Sequence, residues 1–277
     1  MDRRKFLRRA GLAGVSAGVG GLAVARIDIA RADLATPESF ASTIAQQPSR
    51  GQARVYWSGA PATTAGGPPS VALTFDDGPT DQFTARVLDV LAVHKVPATF
   101  FVIGELADRH PDLVRRARDA GHELGNHSYD HISAAKTDAP QVRDSMARGA
   151  DAVQRLTGTR PRWYRPPRGE ITSATLLAAQ AVSQEIALWS VVRDGPDGGG
   201  PDDDAAGVRT HLLGALHPGA VVDLHDGIGR SAWIGLPSDS LITRRSAELT
   251  VLPDVLVGWL AAGYRFTTLS ELIPAQP

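Results

Sequence analysis

Ser70-Val71-Ala72-Leu73-Thr74-Phe75-Asp76-Asp77-Gly78-Pro79 is the stretch on which the fold turns. A short apolar run with strand composition, Val71 to Phe75, ends on two adjacent acids. Gly78-Pro79 then turns the chain sharply and holds both carboxylates at the strand's rim. Downstream, short apolar runs alternate with longer amphipathic segments. Strands are predicted over residues 71–75, 98–102, 123–125, 163–165, 185–189, 221–224 and 265–267. Helices are predicted over 82–94, 112–120, 141–156, 173–181, 205–216 and 248–262. Leu88, Leu91 and Ala92 recur at helical spacing in the first helix, as do Val255, Leu256, Trp259 and Leu260 in the last. Such alternation implies a parallel sheet with helical cover, either closed as a barrel or left open.

Polar clusters stand where these strands run out. Asp76 and Asp77 follow the first strand, and His127 and His131 the third. Arg165 ends the fourth, Asp194 lies beyond the fifth, and His225 follows the sixth. Parallel strands present all their carboxyl ends on one face, where α/β barrels build active sites. Residues far apart in the chain are thereby gathered into one mouth.

The residue types in that mouth suit metal-assisted hydrolysis. His127 and His131 are four apart, so one helical turn or tight loop points both rings the same way. Alone, such a pair is more often structural than metal-binding, and Asp-Asp-Gly-Pro alone is a plain turn. Together, two imidazole nitrogens and an oxygen of Asp76 or Asp77 make a three-ligand set that leaves a position open for water. The other aspartate is then free to take a proton from a water whose pKa a divalent cation can lower to about 7. A guanidinium such as Arg165 would fix that base through paired hydrogen bonds. His225 would protonate the amine expelled when an amide is cleaved, with Asp194 placed to orient its ring. The other histidines, at 94, 110, 122, 211 and 217, fall in or near helices and loops and read as structural. Asp202, Asp203 and Asp204 read as a helix N-terminus rather than a calcium loop.

Bulk properties narrow the class. The chain has 277 residues, 43% hydrophobic content, a net charge of −1 and no cysteine. Disulfides, thiol nucleophiles and thiolate metal sites are therefore excluded, and any metal must sit on histidine and carboxylate. Seven Lys/Arg against two Asp/Glu lie in residues 1–32, leaving a mildly acidic body with no basic stripe for nucleic acid. The basic start Arg3-Arg4-Lys5-Phe6-Leu7 precedes a short Gly/Ala-rich apolar run with small-x-small sites ending at Ala25 and Ala32. Residues 1–32 thus resemble a twin-arginine export signal, too short and glycine-laden for a stable membrane span. Residues 33–69, with the breaker cluster Pro61 to Pro69, read as a flexible spacer, and 70–277 as the catalytic domain.

Thr74 to Pro79, His127-Ser128-x-x-His131, Arg165-Pro166-Pro167-x-Gly169 and Leu224-His225-Asp226 resemble the successive motifs of polysaccharide deacetylases, the NodB-homology enzymes of carbohydrate esterase family four. The resemblance runs from about Ser70 to Ile273. It implies a distorted, incomplete (β/α) barrel of about seven parallel strands that removes N-acetyl groups from an N-acetylhexosamine polymer outside the cytoplasm. It further implies Asp76 as base, with Asp77, His127 and His131 holding a divalent metal, Zn2+ or Co2+. Arg165 would tether the base, His225 act as acid and Asp194 pair with it. Leu224 would line the acetyl pocket, and the Arg168 N–H would help stabilise the oxyanion. Two positions that are usually aromatic in the family are Arg168 and Gly195 here, which opens the acceptor groove; Arg168 suits an anionic group such as a lactyl or peptide-stem carboxylate. An O-acetyl esterase acting on a polymer such as xylan, and a non-catalytic carbohydrate binder, are the competing readings. Oligomeric state is not readable from the sequence.

Overall fold

The computed structural model of the protein describes residues 53–60, 67–193, 204–229 and 238–275, together with the strand Val24–Arg26. Ten strands form one sheet: β1 (Val24–Arg26), β2 (Arg54–Tyr56), β3 (Ser70–Asp76), β4 (Thr99–Val102), β5 (Glu123–Asn126), β6 (Trp163–Tyr164), β7 (Glu185–Ala187), β8 (Val191–Val192), β9 (Val221–His225) and β10 (Arg265–Thr267). Their order is β1-β2-β7-β6-β5-β4-β3-β9-β8, with β10 added beside the start of β3. Every pairing is parallel except β1 with β2. Eight parallel strands from β2 to β8 thus curve into a distorted barrel whose two end strands are not paired to each other.

Eight helices accompany the strands among the described residues: α1 (Thr84–His94), α2 (Gly104–Arg109), α3 (Pro111–Asp119), α4 (Ala139–Thr157), α5 (Ser173–Ala181), α6 (Ala205–Ala215), α7 (Ser238–Ala261) and α8 (Leu269–Leu272). Their ends follow local chemistry. The Asp138 side chain caps α4 by accepting from Gln141 N–H, and Gly158 closes it at a φ of 79° that favours glycine. Thr172 and Thr175 form a reciprocal capping box on α5.

The strand pleat sorts the side chains into two layers. Val71, Leu73 and Phe75 of β3 and Val222 and Leu224 of β9 face outward into the main core with α1, α6 and α7. The alternate residues face the barrel axis. Part of that interior is apolar, built from Tyr56, Ala72, Phe101, Trp163, Ala187 and Val221, and plugged by Leu269 and Ile273 from the α8 region. Towards the carboxyl ends it turns polar, with Thr74, Asp76, Arg165, Asp223 and His225. The mouth therefore lies at the carboxyl ends of the strands.

Two features differ from the sequence reading. β2 lies inside the segment read as a spacer, yet Val55 and Tyr56 are buried and paired with β7, so the sheet begins before residue 70. β1 falls within residues 1–32 and pairs with β2; residues 1–23 and 27–52 lie outside the described residues. The sequence reading also missed β8, which lies just beyond the strand read over residues 185–189. Among the described residues no helix is long and apolar enough to cross a membrane.

Gly149 of α4 shows how tightly the helical layer abuts the mouth. A Cβ there would come within 2.7 Å of the Ser128 carbonyl carbon in the loop that carries His127 and His131. Gly149→Ala should therefore lower stability by about 1–3 kcal/mol, read as a reduced denaturation midpoint; an unchanged midpoint would show that loop and helix are not in contact.

Candidate active site

Arg165 continues β6 into the mouth with no solvent exposure. Its Nη1 donates to Thr74 Oγ1 at 2.8 Å, Asp76 Oδ1 at 2.9 Å and Asp223 Oδ1 at 3.1 Å. Its Nε and Nη2 donate to the carbonyls of Ala187 and Leu188, and Phe101 lies under the guanidinium. The sequence reading anticipated Arg165 with Asp76; Asp223 is an addition. Burial and the neighbouring Asp76 charge push the Asp223 carboxyl up to about 7.

Asp77 follows Asp76 at a φ of 74°, a left-handed conformation uncommon outside glycine. Ser128 (66°), His131 (54°) and Arg168 (59°) share it, so strained backbone gathers around one site. Gly227 and Gly229 wrap Asp77 at close range, and a Cβ on Gly229 would sit 3.0 Å from Asp77 Oδ1. Asp226 buttresses the turn by accepting from Thr84 Oγ1 at 2.6 Å; burial pushes its carboxyl up to about 7.

His127 leaves the end of β5, its N–H donated to the Val102 carbonyl, and the Ser128 hydroxyl accepts from His131 N–H to shape the loop. The two rings lie 5.1 Å apart. His131 Nε2 stands 3.0 Å and His127 Nε2 3.6 Å from Asp77 Oδ1. His127 Nδ1 lies 2.8 Å from the Arg165 carbonyl, which can only accept, so the proton sits on Nδ1 and Nε2 presents a lone pair.

These atoms fit a cation. Asp77 Oδ1 is buried and has no hydrogen-bond donor. The ligand atoms of Asp77, His127 and His131 all lie within 4.8 Å of one another. Neighbouring ligands of a tetrahedral site with bonds near 2.0–2.1 Å stand about 3.3 Å apart, close to the distances seen. Burial would raise the Asp77 pKa, but His131 and His127 hold it well below the usual carboxylate range, keeping it anionic. Burial lowers the His131 pKa despite Asp77, which keeps its imidazole neutral and able to ligate. Of the aspartate pair, Asp77 is the one placed to ligate a cation. Asp76 Oδ2 lies 3.8 Å from His127 Nε2, beside the set.

His225 ends β9 directly opposite Asp76 in the β3–β9 register, with its side chain still 20% exposed. Its ring partner among the described residues is Glu248 of α7, whose Oε2 lies 3.4 Å from Nδ1 and accepts the His225 backbone N–H at 2.8 Å. Asp194 and Gly195 lie outside the described residues. Burial and Arg245 push the His225 pKa down, yet Glu248 and Asp223 outweigh them and raise it.

Arg168 is exposed, and its charge reaches His131. Leu224 is corrected: it is 1% exposed and packs outward with the helices, so it cannot line a pocket in the mouth. The pleat turns Asp223 and His225 inward and Leu224 away from them. Glu248 and Arg245 escaped the sequence reading, although a signal existed. With Leu241, Leu252, Leu256 and Trp259 they share the buried stripe of one helix, where a charged pair is anomalous.

The comparisons with known proteins agree with this geometry. Residues 63–186 match the family model for polysaccharide deacetylase. A peptidoglycan-N-acetylglucosamine deacetylase of Bacillus cereus is 40% identical over 159 residues, covering 57% of this chain and 56% of that protein. The chain thus spans little more than half of that relative's length. A second such deacetylase of Bacillus cereus is 32% identical over 203 residues, covering 73% of this chain and 87% of that protein. A solved peptidoglycan N-acetylglucosamine deacetylase, bound to 4-naphthalen-1-yl-N-oxidanyl-benzamide, superposes with a TM-score of 0.64 at 32% identity, covering 80% of this chain and 94% of that one. The chain belongs to the polysaccharide deacetylase family, and its barrel is the distorted (β/α) barrel of carbohydrate esterase family four.

Elemental analysis of purified protein should find about one divalent ion per chain. His131→Ala should lose most of it. Full occupancy in that variant would remove His131 from the ligand set.

Proposed function

We propose that the chain is a metal-dependent hydrolase that removes N-acetyl groups from an N-acetylhexosamine polysaccharide of the peptidoglycan type. The observation that carries this reading is a carboxylate held beside the donor set without belonging to it. Asp76 Oδ1 is engaged by Arg165 while Oδ2 faces the His127 side, and His225 stands opposite on the adjoining strand.

A divalent cation bound by Asp77, His127 and His131 would acidify a water and polarise the acetyl carbonyl. The donor set of two nitrogens and one oxygen, without thiolate, suits Zn2+ or Co2+. Asp76 takes the proton from the attacking water, its carboxylate fixed in place by Arg165. His225 stays protonated to higher pH than a free imidazole and delivers its proton to the amide nitrogen. The C–N bond then breaks, leaving acetate and a free amine on the sugar. The Arg168 N–H, at the left-handed turn beside the mouth, would donate to the oxyanion.

The names of the two relatives support a polymer of the peptidoglycan type. A substrate outside the cytoplasm accords with export through the twin-arginine pattern at residues 3–7. Ester cleavage uses the same water attack and asks less of His225, so acetylated xylan is the control substrate.

Acetate release should be greater from peptidoglycan fragments than from chitooligosaccharides or acetylated xylan, and should stop with chelator. Release confined to xylan would overturn the amide reading. Asp76→Asn should keep its metal but lose about 100- to 10,000-fold in kcat. Undiminished turnover would exclude Asp76 as the base.

A further inference from the structure

α7 carries Arg245 and Glu248 three residues apart, on one face of the helix. Burying two charged side chains is costly unless each is matched, and here both are matched at the mouth. Glu248 is 2% exposed; its Oε1 accepts from Arg245 Nη1 at 3.0 Å, and Arg193 Nε stands 3.7 Å away. Its Oε2 faces His225, at 2.8 Å from the backbone N and 3.4 Å from Nδ1. At that distance Nδ1 makes no hydrogen bond in this structure; the contact is an ion-pair approach, and catalytic contacts commonly tighten only when substrate binds. Arg245 extends the chain of contacts: Nη2 donates to Asp77 Oδ2 at 3.2 Å and Nε to the Gly227 carbonyl at 2.9 Å. One helix therefore ties Asp77 to the histidine at the end of the adjoining strand.

We propose that Glu248 is a positioning residue for His225, and that Arg245 locks it to Asp77 so that α7 sets the acid relative to the metal group. This deepens the deacetylase reading and rests on it. A carboxylate at Nδ1 keeps a proton there and turns Nε2 towards the mouth, where the leaving nitrogen must be met. Arg245, by occupying Asp77 Oδ2, leaves Oδ1 for the cation. The charged groups around His225 are Glu248 and Arg245 from α7, Asp223 from β9, and Asp76 and Asp77 from the end of β3. Of these, Glu248 is the one recorded at ion-pair distance from its ring.

The test compares full-length wild type with Glu248→Gln, which keeps the acceptor and removes the charge. Long-range 1H–15N NMR of the imidazoles should show His225 protonated at Nδ1 in the neutral wild-type ring. In E248Q its titration midpoint should fall by about one pH unit or more. The alkaline limb of kcat should move down with it, kcat should fall about tenfold or more with KM nearly unchanged, and Glu248→Asp should restore part of the loss. Identical midpoints and pH profiles in wild type and E248Q would overturn the proposal. If E248Q does not fold, the wild-type spectrum decides: a neutral ring protonated at Nε2 overturns it too. The NMR readout needs no turnover. Wild-type protein that shows the expected tautomer and midpoint shift but releases no acetate would refute the deacetylase reading and leave the Glu248–His225 contact standing.

Discussion

The whole mouth is arranged around the guanidinium of Arg165, which is shut off from solvent and makes five recorded polar contacts. Burying such an ion costs several kcal/mol unless its partners are complete. Here they come from β3, from β9 and from the end of β7, so one side chain stitches together strands that are far apart in sequence. Asp76 is held because Arg165 is held. Thr74 and Asp223, two residues earlier on their strands than Asp76 and His225, supply the lower tier of the same network.

Charge balance explains how this interior tolerates so many acids. Among the described residues, Asp76, Asp77, Asp223, Asp226 and Glu248 are buried against buried Arg165, Arg193 and Arg245. Two of the acids, Asp223 and Asp226, keep their protons to about pH 7 because burial penalises the anion. The three acids that remain, Asp76, Asp77 and Glu248, are matched in number by the three arginines.

Much of this was legible in the sequence, for a physical reason. Parallel strands with helical cover place their carboxyl ends on one face, so Asp76, Asp77, His127, His131, Arg165 and His225 could be assembled from strand endings alone. Where the chain is short or the contact is through space, sequence was silent. β2 sits in a segment dominated by its Pro/Gly breaker cluster, β8 directly follows another strand, and Asp223 reads as one more strand residue until the pleat phase is known. That phase also decides against Leu224. Arg245 and Glu248 lie at or before the start of the helix predicted from residue 248, and only the full length of α7 shows them on its buried stripe.

All of this chemistry depends on one cation gripped at the mouth by Asp77, His127 and His131. Anomalous X-ray diffraction at the zinc edge, from crystals of zinc-loaded protein, tests it directly. One dominant peak should be bounded by Asp77 Oδ1 and the Nε2 atoms of His127 and His131, with Asp76 beside it and unligated. A peak elsewhere, or Asp76 in the coordination sphere in place of Asp77, would contradict it.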